Sequence, residues 1–394
     1  MNLFLSTLQY AKKHNISKMQ VTRLINSGKL PAQKIGNQWI IYKNPSNPDQ
    51  IKLEKSSSLQ LWNKIIKNSL GKSLDIEKEK DREIIFAKMH NLGLPHQRNF
   101  SFQIGKFPTK KQFQTIQQKI GTPYWISTVP DTSKPHLNRQ TKLNLKNTKS
   151  GWNFINKLNE KENYKIIISQ YPNNPEFKGT ALVSSKGNGI AEFITGDRHY
   201  IMTRAFSLTD PMLFDNQKIL KFSKTISKQH QKQLFNKIKT LSGHFEFQYA
   251  QSKLTFFDYN DSSSYIQIDP TYQNLLKYFT KKTTKNSKTL SGLPCSPGKA
   301  IGKCIITHHS SFNIYNQVKK GNILVTDTLT PEMAPILNKV SAILTDLGAV
   351  TSHPAIVCRS LNIPTIIGIK NATQILRNNT KISINASNGT IKIL

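Results

Sequence analysis

The sequence predicts a multidomain α/β protein, and three observations carry that expectation. Its 394 residues exceed one ordinary domain. From about residue 81 onward, apolar runs of strand length alternate with segments of helical period. Two polar stretches, 46–80 and 271–290, break this pattern as linkers would, leaving modules at 1–45, 81–270 and 291–394.

The first module reads as two short helices and a hairpin. Ser6 can cap a helix carrying Leu8 and Ala11, Asn15 and Ser17 mark a turn, and Val21, Leu24 and Ile25 recur at helical spacing before Gly28. Leu30 to Ile41 alternates around Gly36-Asn37 as a two-stranded wing. With its Ser-Gly-Lys-Leu-Pro turn at Ser27 and its Gly36-x-x-Trp39 wing, the stretch resembles the excisionase-type, MerR-like winged helix-turn-helix domain. The resemblance implies DNA as a partner, met by Lys18, Gln20, Thr22 and Arg23 at the start of the second helix and by Lys34 and Asn37 on the wing. A module of this shape can equally act as a protein adaptor. The stretch 46–80, with its serines at 56–58, reads as a tether carrying a short helix around Leu61 to Ile66.

In the central module, Phe107-Pro-Thr with Ile116 and Ile120 reads as a turn and helix running into Pro123-Tyr-Trp-Ile-Ser-Thr. Tyr164 to Ile168 is a buried strand that ends in a polar turn, and hairpins are expected over 179–194 and 243–260. In the last hairpin, Glu246 and Asp258 fall on adjacent antiparallel strands, and Asn260 shares the face of Asp258. Two carboxylates and an amide leave room for phosphate oxygens and water, which suits Mg²⁺ bound to a nucleotide; solvated strand residues would give the same pattern.

The order of these units resembles the ATP-grasp fold. That resemblance implies Glu246, Asp258 and Asn260 as Mg²⁺ ligands and Ser169, Gln170, Tyr171 and Pro172 as a hinge lining the adenine of ATP. One departure stands out: the family places a lysine or arginine on the strand where this chain has Ile126, Ser127 and Thr128. Lys134 and Arg139 on the following loop, or Arg198 and Arg204 after the next hairpin, are the cations that could replace it. His199 is a further polar candidate, with a structural histidine as the alternative.

In the last module, Ala342 to Leu344 reads as a buried strand, Asp346 to Val350 as a turn, and Thr351-Ser-His-Pro as the opening of a helix. His353 therefore falls at a strand-to-helix junction, where unpaired amides and the positive dipole end favour an anion. A capping or core histidine would show the same local pattern. Four blocks in order, at Ser296, Ile323, Ala342 and Leu361, resemble the swivelling β/β/α phosphohistidine domain of phosphoenolpyruvate-utilising enzymes. The resemblance implies His353 as the phosphorylated residue and Thr351 as the threonine that precedes it; Ala349 replaces a glycine common in the family.

Composition limits the setting but not the activity. A formal charge of +34, from 56 Lys+Arg against 22 Asp+Glu, attracts polyanions, though lysine, asparagine and isoleucine are spread along the whole chain as A+T-rich coding would leave them. No apolar run approaches a membrane span, the start lacks a secretory pattern, and Cys295, Cys304 and Cys358 form no C-x-x-C pair, so a cytoplasmic protein with no membrane partner is expected. The expected activity is ATP-dependent phosphoryl transfer through His353 to an acceptor the sequence does not specify, in a DNA-associated chain. The alternative is a DNA-binding regulator whose nucleotide and histidine modules are non-catalytic sensors. The two differ in whether the chain at 126–139 brings a cation to Glu246 and Asp258.

Overall fold

The structure, a computed structural model, describes residues 4–26, 32–35, 38–42, 59–75, 82–131, 133–134, 136–137, 140–171, 174–280, 289–309 and 317–394. Arg139, Asn37 and Pro172, and the side chain of Lys34, lie outside the described residues. The chain forms two compact units: Met1–Ser73 with Lys277–Gly348 and His353–Leu394, and Leu74–Leu276 with the short segment Ala349–Ser352.

The first unit opens with strand β1 (Phe4–Ser6), helices α1 (Thr7–His14) and α2 (Lys18–Asn26), and strands β2 (Ala32–Ile35) and β3 (Gln38–Tyr42). The strands form an antiparallel sheet in the order β1-β3-β2. Ser17 starts α2 with a reciprocal cap: Gln20 N–H donates to Ser17 Oγ at 3.2 Å, and Ser17 N–H donates to Gln20 Oε1 at 2.8 Å.

Helix α3 (Leu59–Leu70) departs from the expected tether. It runs 12 residues, twice the short helix foreseen, because Leu59, Trp62 and Ile66 recur three and four apart and bury one stripe. Within its unit α3 packs on the 3₁₀ segment Pro331–Ile336.

The second unit holds α4 (Arg82–Asn91), β4 (Asn99–Phe102), α5 (Lys110–Ile120), β5 (Tyr124–Pro130), β6 (Gln140–Leu145), α6 (Thr148–Asn156) and β7 (Tyr164–Gln170). Thr109 and Gln112 make the capping box that starts α5. Strands β4-β7-β5-β6 form one antiparallel sheet, with Phe113, Tyr124, Ile126, Ile155 and Ile166 in the core beneath it. There follow β8 (Phe177–Val183), β9 (Gly189–Thr195), α7 (His199–Thr203), β10 (Met212–Phe214), β11 (Ile219–Lys221), α8 (Lys228–Ile238), β12 (Gly243–Ala250), β13 (Lys253–Asn260), α9 (Ser263–Ile266) and α10 (Asp269–Thr280). The second sheet of this unit is antiparallel in the order β11-β10-β9-β8-β12-β13. Its core face carries Phe177, Phe193, Phe245, Phe247 and Phe256, packed so closely that a Cβ on Gly179 would come within 2.4 Å of the Phe247 ring.

Helix α10 occupies residues given to a linker at 271–290. Tyr272 and Leu275 on its inner face are buried, which holds the helix to Thr280; residues 281–288 lie outside the described residues.

The first unit resumes with β14 (Thr289–Ser291), β15 (Leu293–Ser296), β16 (Lys299–Thr307), β17 (Asn322–Thr326), β18 (Val340–Thr345), α11 (His353–Ser360), β19 (Thr365–Ile367), α12 (Ala372–Ile375), β20 (Lys381–Asn385) and β21 (Thr390–Ile393). They build a mixed eight-stranded sheet, β14-β21-β20-β16-β17-β18-β19-β15, in which β16 to β19 run parallel. Strands β17 and β18 are buried along almost their whole length, as parallel strands covered on both faces must be.

Candidate functional site

The antiparallel register of the second sheet turns separate residues into rows. Thr180 pairs with Glu192 and with Glu246, and Glu246 pairs with Asp258, so Glu192, Thr180, Glu246 and Asp258 lie side by side across four strands. Asn260 stands two residues past Asp258, opposite His244, on the same face. Because Phe245, Phe247 and Phe256 fill the other face, this face is left for polar groups.

Asp258 is 2% exposed and Asn260 1%. Asp258 Oδ1 accepts the Tyr259 N–H at 2.9 Å, and Asn260 Oδ1 accepts the Ser262 N–H at 2.8 Å. Glu246 Oε2 lies 4.0 Å from His199 Nδ1. Burial, then the neighbouring Lys178 ammonium, pushes the His199 imidazole down to about 3, so the ring is neutral near pH 7. Its Nε2 is buried without a hydrogen-bond partner among the described residues.

Among the described residues no group of three or more His, Cys, Asp or Glu side chains is arranged as a metal cage. The set at Glu246, Asp258 and Asn260 is instead two carboxylates and an amide, hard oxygen donors in the number with which proteins hold Mg²⁺ that is shared with phosphate.

Ser169 and Gln170 close β7, with Ser169 fully buried and its hydroxyl donating to Arg98 O at 3.1 Å. Tyr171 follows; its N–H donates to Pro123 O at 2.9 Å and its hydroxyl to Asp197. On β5, the strand expected to lack a cation, Ile126, Ser127 and Thr128 are buried, and Ser127 and Thr128 are occupied by Thr141 and Gln140 of β6. Lys134 is exposed on a turn beside Asp131, whose carboxyl is held below its usual range by Ser133 and then by that lysine. Arg198 turns back on its own hairpin, donating to Thr195 O and Oγ1. Neither of these cations is spent on Glu246 or Asp258.

A cation that the sequence reading passed over stands on this part of the sheet, Lys178 of β8. Its Nζ lies 2.5 Å from Asp197 Oδ1, and 5.5 and 5.4 Å from the ring centroids of Tyr171 and Phe257. Nothing in its local sequence distinguishes it among 56 Lys and Arg residues; only the strand register does. Glu192 was likewise missed. Fully buried, it accepts the Thr209 hydroxyl at 2.5 Å and, from the segment Ala349–Ser352 of the same unit, the Thr351 N–H at 2.8 Å and hydroxyl at 2.6 Å.

In the first unit, His353 is the first residue of α11 and is half-buried at the helix N-terminus. Gly348 adopts a φ of 146°, whereas Ala349 keeps a negative φ and is fully buried, so alanine fits where the family has glycine. Past the ends of β17 and β18 stand Asp327 and Asp346. Asp327 accepts the His309 N–H at 2.8 Å and lies 2.5 Å from His309 Nδ1; Asp346 is bound by the Thr373 hydroxyl and amide. On α2, Lys18, Gln20 and Arg23 are exposed, while Thr22 is half-buried with its hydroxyl on Lys18 O.

Residues 318–389 match the family model of the PEP-utilising enzyme, mobile domain, a stretch that contains His353 and both aspartates. Over 112 residues the chain is 38% identical to a probable phosphoenolpyruvate synthase of Staphylothermus marinus, covering 28% of this chain and 13% of that protein. A probable phosphoenolpyruvate synthase of Methanothermobacter thermautotrophicus is 39% identical over 114 residues, 28% of this chain and 16% of the relative. The chain therefore spans only a small part of the curated relatives it matches. A D-alanine–D-alanine ligase from Bacillus anthracis complexed with ATP overlaps 46% of this chain and 52% of its own at 10% identity, with a TM-score of 0.28, too loose a likeness to carry weight.

Proposed function

We propose that this chain is an ATP-dependent phosphotransferase that works through a phosphohistidine at His353. The observation that carries the reading is the match of 318–389 to the mobile-domain family, with His353 leading a helix after a buried parallel strand. A helix N-terminus favours the dianionic phosphoryl group once it is on the ring. In the step, a ring nitrogen of His353 forms a bond to phosphorus as a bridging P–O bond of the nucleotide breaks, and the electron pair leaves on the departing phosphate oxygen.

On this reading Glu246, Asp258 and Asn260 hold Mg²⁺, which supplies positive charge to the phosphate oxygens. Ser169, Gln170 and Tyr171 line the base. The rows of polar groups on β9, β8, β12 and β13, opposite a face of phenylalanines, support a binding cleft there. The test is to incubate the full chain with Mg²⁺ and ATP labelled at each phosphate in turn. Acid-labile, alkali-stable label on the wild type and none on His353→Ala is the expected result; label that persists in the variant sinks the reading.

A DNA-binding role is the second reading, favoured by the exposure of Lys18, Gln20 and Arg23 along α2. Duplex binding by the full chain that weakens steeply with salt and is lost in a Lys18→Ala, Arg23→Ala double variant would support it. Retained binding in that variant would exclude α2 as the reader.

A further inference from the structure

Lys178 poses a problem that its surroundings answer. It is a nearly buried lysine, with 10% of its side chain exposed, walled by the rings of Tyr171 and Phe257. A charge in such a place needs an anion beside it. Here the anion is Asp197, but the two partners are held very differently. Lys178 is fixed by β8, paired on both sides in the middle of the sheet. Asp197 sits on the bend between β9 and α7, and its side chain is 38% exposed. Asp197 can swing into water, whereas Lys178 cannot follow.

We infer that Lys178 is the polyphosphate clamp of the nucleotide site, and that Asp197 holds its place until the nucleotide arrives. This rests on the nucleotide-binding reading above and names the cation that reading requires. Among the described residues, β5 presents none, Lys134 is exposed beside Asp131, Arg198 is folded onto Thr195, and Arg204 is half-buried just past α7. Lys178 lies one row from the Glu246 and Asp258 pair, opposite Gln248. A phosphate that displaces Asp197 would meet an ammonium in surroundings where charge is poorly screened. Tyr171 donates its hydroxyl to the same Asp197, so the residue proposed to line the base touches the carboxylate that must move. Base recognition and release of the clamp thus share one side chain.

The test uses the full chain and compares Mg²⁺-ATP with adenosine, which lacks phosphates, by calorimetry or competition. Lys178→Met should weaken ATP binding by at least about 10-fold and adenosine binding far less, and Lys178→Arg should recover most of the loss. Asp197→Asn, which weakens the competing partner, should bind ATP as well as or better than the wild type. ATP binding unaltered in Lys178→Met, or ATP and adenosine weakened equally, would overturn the clamp. His353 labelling separates this from the reading beneath it. If the wild type binds ATP through Lys178 yet never labels His353, the transferase reading falls and the clamp stands. If Lys178→Met labels His353 at the wild-type rate, the clamp falls and the transferase reading stands.

Discussion

Glu246 and Asp258 stand directly opposite each other on β12 and β13, two carboxylates at one register of an antiparallel pair. Like charges so placed repel, and the sheet register holds them together. A cation arriving with its ligand would relieve that repulsion. Glu246→Gln should therefore raise the stability of the nucleotide-free chain by a few tenths to about 1 kcal/mol. The same change should cut Mg²⁺-dependent phosphorylation by about 100-fold or more. Thermal unfolding with and without Mg²⁺-ATP, beside a labelling assay, checks both halves.

Asp327 should govern the pH dependence of the first unit. Burial alone would raise its carboxyl, but His308 and His309, with the backbone N–H of His309, hold it well below the usual range. A depressed carboxyl contributes stability that is complete above its unfolded value near 4 and is lost as pH falls through the folded one. The carboxylate in turn raises His308, whose contribution is complete below about 6.5 and fades as pH rises through its higher folded value. Urea unfolding from pH 3 to 9 should show both slopes in the wild type. Asp327→Asn should flatten both and lower stability at pH 6 by on the order of 2 kcal/mol.

Trp62 anchors α3. With 1% of its surface exposed, its truncation to alanine should cost about 3–5 kcal/mol, since a ring-sized cavity closes only in part. A shift of the urea midpoint at constant slope, with far-ultraviolet circular dichroism unchanged in the absence of denaturant, is the expected outcome.

The three thiols should be silent until the chain unfolds. Cys295, Cys304 and Cys358 are buried and form no disulfide with one another, and burial pushes the Cys304 and Cys358 thiols up to about 11. Almost no thiolate is then present at neutral pH, and access is blocked as well. Ellman's reagent should label none of the three rapidly in buffer and all three in 6 M guanidinium.

Much of the layout was legible because it is written in local pattern. The strand, turn and histidine-led helix from Val340 to Ser360 follow from an apolar run, Gly348 and a proline at the second helical position. The Glu246 and Asp258 pairing was legible only in part: the turn at Gln251 and Ser252, both at positive φ, sets Phe247 opposite Phe256, and a one-residue register shift beyond that pair, which period two does not give, brings Asp258 opposite Glu246. What stayed hidden depends on partners far away in the chain. Lys178 becomes notable only when β8 is set between β9 and β12, and Glu192 only when Thr180 and Glu246 stand beside it. Helix α3 was underestimated for a different reason: the stretch 46–80 around it is polar, while Leu59, Trp62 and Ile66 concentrate the apolar content of the helix on one stripe.

In the eight-stranded sheet, β14 lies along β21, with Leu290 opposite Ile391. The first and last strands of this sheet in chain order thus lie side by side at one edge, two doors in one wall. A building block with adjoining ends can be spliced into unrelated hosts while straining neither neighbour.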